Sequence, residues 1–250
     1  MSDDPVALAA RLVADRFPQA HAAFLGGSSP TARRTPWSDL DIVVVLDGKP
    51  ASFRETLRHD GQLVEWFVYT PTSLRHYWQQ NISNRRTPLL RMVAEGVTLI
   101  GTDGRAEAYR AEAAELLTAG PPVPAADKLA FQRYLVTDLL DDLRGCTDPV
   151  EIAFLTATLV LAASDLMLLA ENRWSARGKW LPRRLAELDP ALPAQLISAQ
   201  QSALTDGNRE PLVTAIFAIL DHTGGPLQEG FRLEGEDPAA PPPPKTRTTN

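Results

Sequence analysis

The chain has 250 residues, 44% of them apolar and 22% charged, so it can fold as two soluble domains of ordinary size. Its formal net charge of -6 argues against a nucleic-acid-binding body, which needs a concentrated basic surface. A single cysteine, Cys146, excludes an intramolecular disulfide and a cysteine-built metal cage, and four scattered histidines lack a zinc-like spacing.

Pro5 to Phe17 carries apolar residues at helical spacing, and His21 to Leu25 then runs extended into Gly26 and Gly27. Leu40 to Leu46 is apolar on both faces, as a covered central strand should be. A turn at "DGKP" leads to a short predicted helix near Ser52 to His59, followed by a strand from Gln62 to Tyr69. Thr72 to Gln80 and Pro88 to Glu95 read as helices, Gly96 as a helix stop, and Val97 to Ile100 as a short strand. Strands and helices thus mix over residues 1–118. The proline-rich stretch 119–124 breaks the chain and serves as a linker.

Residues 125–233 show only helical patterns, over Asp127 to Leu143, Val150 to Asn172, Leu181 to Leu188, Ala191 to Thr205 and Pro211 to Asp221, and predict a helical bundle. The longest apolar run, Ile152 to Ala163, is interrupted by Thr156 and Thr158 and reads as a buried helix, shorter than a membrane span. Residues 234–250 are proline-rich and polar and are expected to form a disordered tail. The acidic amino terminus lacks the regions of a signal peptide, so the expectations are a cytoplasmic location and no membrane contact. The expected fold class is α+β: an N-terminal mixed sheet with flanking helices, then an all-α bundle.

Chemistry concentrates on three carboxylates. Asp39 and Asp41 open the apolar strand, and Glu65 is the only charge in "QLVEWFVY". If those strands pair, the three converge. Crowded carboxylates repel and raise one another's pKa, and a divalent cation is the simplest compensation, with oxygen-only ligation suiting Mg²⁺. Upstream, Gly27 and Ser28 follow an apolar strand and precede an expected helix start, where free backbone N–H groups and the Ser28 hydroxyl can hold phosphate oxygens.

An apolar residue, Gly27, Ser28, a spacer, then Asp39-Leu40-Asp41-Ile42, with Glu65 on a later strand, resembles the nucleotidyltransferase superfamily that shares the DNA polymerase beta fold. The spacer ending "TPWSDLD" and the two-domain layout are most similar to its small-molecule branch, the aminoglycoside nucleotidyltransferases that include kanamycin nucleotidyltransferase. The resemblance implies an enzyme with two Mg²⁺ ions and ATP or another NTP as co-substrate. A nucleoside monophosphate, AMP in the first instance, would pass to a hydroxyl of a small, aminoglycoside-like acceptor. Asp39, Asp41 and Glu65 would be metal ligands and catalytic residues, and Gly27 and Ser28 nucleotide contacts. One departure is Thr31, three residues after the serine, where many relatives carry arginine; Arg33 or Arg34 is the nearest substitute. By the same resemblance an acidic residue of the helical half, Asp138 or Asp141, is the general base. A homodimer is compatible with it.

Two further stretches are basic. "RWSARGKWLPRRL" crowds cations and tryptophans around a glycine, so Lys179 and Arg183 could reach phosphates and Trp174 or Trp180 could stack on a ring, or the stretch could be a surface loop. Arg85 and Arg86, just before a predicted helix, read as surface charges or as nucleotide contacts, the former being preferred. Two alternative functions fit part of the pattern: an antitoxin-type nucleotidyltransferase that modifies a protein, and a nucleotide-binding regulatory protein without turnover.

Overall fold

The computed structural model describes residues 4–31, 34–48 and 52–234. Five strands form one mixed sheet in the order β3-β4-β2-β1-β5, with β1 Ala22–Gly26, β2 Leu40–Val45, β3 Phe53–His59, β4 Gln62–Tyr69 and β5 Val97–Gly101. β2 pairs parallel with β4; every other neighbour is antiparallel. Val43, Val44 and Val45 are fully buried, so β2 is the covered central strand its two apolar faces require.

One face of the sheet carries helix α1 (Pro5–Arg16), packed on Ile42, Val44 and Trp66, with the Phe17 ring edge-on to Trp66 at 5.2 Å between centroids. The other face carries α2 (Pro71–Ser83), α3 (Pro88–Ala94) and α4 (Arg105–Ala119), which bury Val43, Val45, Trp78 and Leu90. α2 starts at a capping box, with the Ser73 N–H donating to the Thr70 hydroxyl and Pro71 in the first turn.

Residues 53–59, predicted helical, form edge strand β3 instead. The cause is the Asp60-Gly61 turn: both residues have positive φ, 49° and 85°, the requirement of a two-residue hairpin that pairs His59 with Gln62. Alternating charges along β3 suit a solvent-facing edge.

The chain divides into two compact units, one of residues 1–123 with Leu168–Pro190, the other of Pro124–Met167 with residues 191–250. The division departs from a simple cut at 119–124, because Leu168–Pro190 belongs with the sheet. Arg85 explains why. It has positive φ (54°), is only 4% exposed and, far from being a surface charge, donates to the carbonyls of Pro122 and Arg173 and to Asn172 Oδ1. The Ser175 N–H donates back to the Arg85 carbonyl at 2.8 Å, and Trp174 Nε1 donates to the Leu117 carbonyl. The segment continues through a 3-10 turn, Gly178–Trp180, into α7, Leu181–Leu188.

The second unit contains α5 (Ala126–Gly145), most of α6 (Pro149–Ala170), α8 (Leu192–Thr205) and α9 (Glu210–His222), as the helical periodicity predicted. Arg209 donates to the carbonyls of Leu143 and Cys146 at the end of α5. α6 matches the helix expected at Val150 to Asn172; the whole helix, unlike the shorter apolar run within it, is long and apolar enough to cross a membrane, but 56% of its most apolar window is buried, as in a core helix. Its polar residues do not interrupt it because the hydroxyls of Thr156 and Ser164 donate to the carbonyls of Ala153 and Val160. The predicted tail, apart from Glu234, lies outside the described residues.

Arg85→Ala would remove the buried guanidinium that donates to the carbonyls of Pro122 and Arg173 and to Asn172 Oδ1, and should destabilise the first unit by about 2 kcal/mol. Urea unfolding followed by tryptophan fluorescence measures this; a loss below about 1 kcal/mol, the size of an ordinary surface substitution, would contradict the role given to Arg85.

Candidate functional site

The parallel register of β2 and β4 sets Asp41 directly beside Glu65. Both lie on the face that also carries Val43, Phe67 and Tyr69, at the end where the helices stop covering it. Asp39 precedes β2, and one carboxylate oxygen from each of Asp39, Asp41 and Glu65 lies within 4.8 Å of the others. The convergence expected from the sequence is therefore present.

Asp39 is positioned by hydrogen bonds to the backbone around it. The hydroxyl of buried Ser29 donates to the Asp39 carbonyl, Gln62 Nε2 donates to the Ser38 carbonyl at 2.8 Å, and the hydroxyls of Ser28 and Ser38 meet at 3.1 Å. Ser29 and Gln62 thus place a carboxylate without touching its oxygens.

Asp41 carries the electrostatic strain. Burial first, then the charges of Asp39 and Glu65, push its pKa up to about 6, while Arg54 and Lys179 oppose the rise. Glu65 has a partner of its own in Arg54, whose Nη2 donates to it at 2.6 Å and whose guanidinium stacks 4.7 Å from the Phe67 ring centroid. The donor set is all carboxylate oxygen, and Asp41, which has no ion-pair partner among the described residues, is the position at which a hard cation would relieve the strain.

The Gly27 backbone, with φ +70°, stands against this carboxylate: a Cβ there would sit 2.1 Å from Asp41 Oδ2. Only glycine permits both the conformation and the approach. The residues after it form a turn, in which the N–H and hydroxyl of Thr31 donate to the Ser28 carbonyl at 3.1 and 2.8 Å. The helix expected to begin here is absent among the described residues, so Ser28 is not an N-cap; its hydroxyl is held by Ser38. Gly27, Thr31, Asp41 and Glu65 line one cavity of about 1020 Å³ within the first unit; Asp39 stands beside Asp41 without lining it.

The remaining predicted residues are dispersed. Lys179, in the 3-10 turn of Leu168–Pro190, is close enough to Asp41 to lower its pKa. Arg33 lies outside the described residues, and Arg34 faces Gln62 Oε1 at 3.5 Å. Asp138 and Asp141 lie on α5 of the second unit, where Asp141 pairs with Arg144 at 3.2 Å. Sequence reading missed Arg54, hidden in the segment taken for a helix. The alternation of "FRETLRH" before Asp60-Gly61 was the signal that could have found it.

No protein-family model matches the chain, and no curated protein matches its sequence. Among solved structures it is similar to the crystal structure of a nucleotidyltransferase-like protein from Exiguobacterium sibiricum 255-15, at 13% identity and a TM-score of 0.43, over 86% of this chain and 73% of that one.

Two predictions follow from Asp41 and Gly27. The folded pKa of Asp41 lies above its ordinary value, so the carboxylate is held neutral at low pH, and stability falls as pH rises from about 4 to about 6 and it ionises beside Asp39 and Glu65. In metal-free buffer near pH 7, Asp41→Asn should therefore be more stable than wild type by about 2 kcal/mol, and the two should converge below about pH 4. Urea unfolding at both pH values tests this, and equal stability at neutral pH would contradict it. Gly27→Ala, forced into left-handed backbone against Asp41, should destabilise the first unit by about 1 to 2 kcal/mol in the same assay.

Proposed function

We propose that the chain is a Mg²⁺-dependent nucleotidyltransferase that moves a nucleoside monophosphate, AMP from ATP in the first instance, onto a hydroxyl of a small molecule. The observation that carries this reading is the meeting of Asp39, Asp41 and Glu65 beside the left-handed Gly27 backbone, with Gly27, Asp41 and Glu65 lining one cavity. The sequence resemblance to the polymerase-beta-type superfamily rests on these same residues.

In this reading Asp39 and Asp41 hold the metal, and Glu65 completes the set as ligand or base. When bound, Mg²⁺ neutralises phosphate charge and withdraws electron density from the phosphorus under attack. The turn of Gly27 and Ser28 orients the phosphates, its glycine letting the backbone come close to them. The acceptor oxygen forms a bond to the α-phosphorus, the bond to the bridging oxygen breaks, pyrophosphate leaves, and the hydroxyl proton passes to a carboxylate. Glu65 is the proposed recipient. Arg54, already paired with Glu65, limits the repulsion among the three acids before substrate binds. Catalysis of this kind comes mostly from positioning and charge neutralisation, so each carboxylate matters individually.

The test is nucleotide-dependent pyrophosphate release by the full-length protein with Mg²⁺, screened over four NTPs and a panel of hydroxylated acceptors. Asp41→Ala should lose about a hundredfold or more of any activity found. Activity that survives Asp41→Ala, or that persists in excess EDTA, would overturn the reading.

A further inference from the structure

The cavity lined by Asp41 and Glu65 also has an arginine-rich wall. It is lined by Arg86 before α3, Arg91 on α3, and Arg177 and Arg184 from the segment that Arg85 tethers, with Trp180 beside them. Arg184 is 93% buried, since its exposure is 7%, yet the carboxylate it pairs with, Glu187, is 60% exposed. Arg91 likewise pairs with the more exposed Glu95 while its Nε donates to the Thr87 hydroxyl. Both guanidiniums are thus less exposed than the carboxylates they pair with. Arg86 and Arg177 have no carboxylate partner among the described residues. Burial first, and then the neighbouring Arg184, lower the pKa of Arg91, so two like charges are held close together in the wall. Four guanidiniums against two exposed carboxylates leave this end of the cavity with a surplus of positive charge and of hydrogen-bond donors in a fork geometry suited to oxyanions.

We propose that this arginine wall is an oxyanion-binding site that holds a phosphate or carboxylate group of a substrate, separate from the Asp39, Asp41 and Glu65 set and from the Gly27 turn. As a substrate assignment the proposal rests on the transferase reading; as an anion site it does not. The oxyanion comes either from the polyphosphate of the nucleotide or from an acidic group on the acceptor. In the second case the acceptor is anionic, the opposite of an aminoglycoside, whose ammonium groups the wall would repel.

The experiment titrates the metal-free full-length chain in EDTA with inorganic phosphate, pyrophosphate and citrate by calorimetry, and then with ATP. Wild type should bind at least one of the three anions saturably, with affinity that falls as salt rises. Arg86→Gln/Arg177→Gln, which alters two unpaired side chains and spares the buried ones, should weaken that binding about tenfold or more, the loss expected for charge-assisted hydrogen bonds. If ATP weakens in parallel with pyrophosphate, the nucleotide supplies the oxyanion; if ATP is unchanged while phosphate or citrate is lost, the acceptor does. Absence of saturable binding to all three anions, or equal binding by the double variant, would overturn the proposal. Asp41→Ala should bind the anions at least as well as wild type, so a failed transferase assay and a failed anion site are separate results.

Discussion

Everything at the site follows from one pairing, the parallel contact of β2 and β4 that places Asp41 against Glu65 on a covered face of the sheet. Two carboxylates at adjacent strand positions would normally be relieved by water, but here the strand beneath is apolar and the helices rise beside it. Glu65 is relieved by Arg54 from the neighbouring edge strand. Asp41, on the central strand, has no such direct ion pair among the described residues, and burial first, then the charges of Asp39 and Glu65, push its pKa up to about 6 against the opposing pull of Arg54 and Lys179. A fold keeps such a strain when another requirement fixes the residues, and binding of a divalent cation is the requirement that these oxygens satisfy best.

The Gly27 turn and the segment Leu168–Pro190 make sense around that strain. Gly27 brings backbone, without a Cβ, against the Asp41 carboxylate, so anything held by the turn lies next to anything held by Asp41. Leu168–Pro190 returns from the helical region to the sheet-bearing unit, fastened by the buried Arg85, and brings Lys179, Arg177 and Arg184 with it. Cations more than a hundred residues from the carboxylates in sequence thereby enter the same unit.

The carboxylates were legible in the sequence because their chemistry contradicts their surroundings: acids at the start of a strand apolar on both faces, and one acid inside another apolar strand. The helical half was legible from periodicity alone. What was lost had local causes. Asp60-Gly61 fixes β3 as a hairpin partner, and weighing "FRETLRH" without that turn made a helix and concealed Arg54. Ser28 precedes a turn instead of a helix, with its own hydroxyl on Ser38 and that of Ser29 on the Asp39 carbonyl, a tertiary constraint absent from propensity. Arg85 looked like a surface charge because nothing in its own neighbourhood reveals the carbonyls of Pro122 and Arg173 that bury it.

The central claim is that Asp39, Asp41 and Glu65 together form a divalent-cation site. The most direct measurement is a crystal structure of the full-length protein soaked with Mn²⁺, with anomalous scattering recorded at the manganese edge. The account predicts an anomalous peak in contact with carboxylate oxygens of Asp39 and Asp41, adjacent to Glu65, and no peak there in Asp41→Ala crystals. A fully soaked wild-type crystal with no peak among these three residues would contradict it.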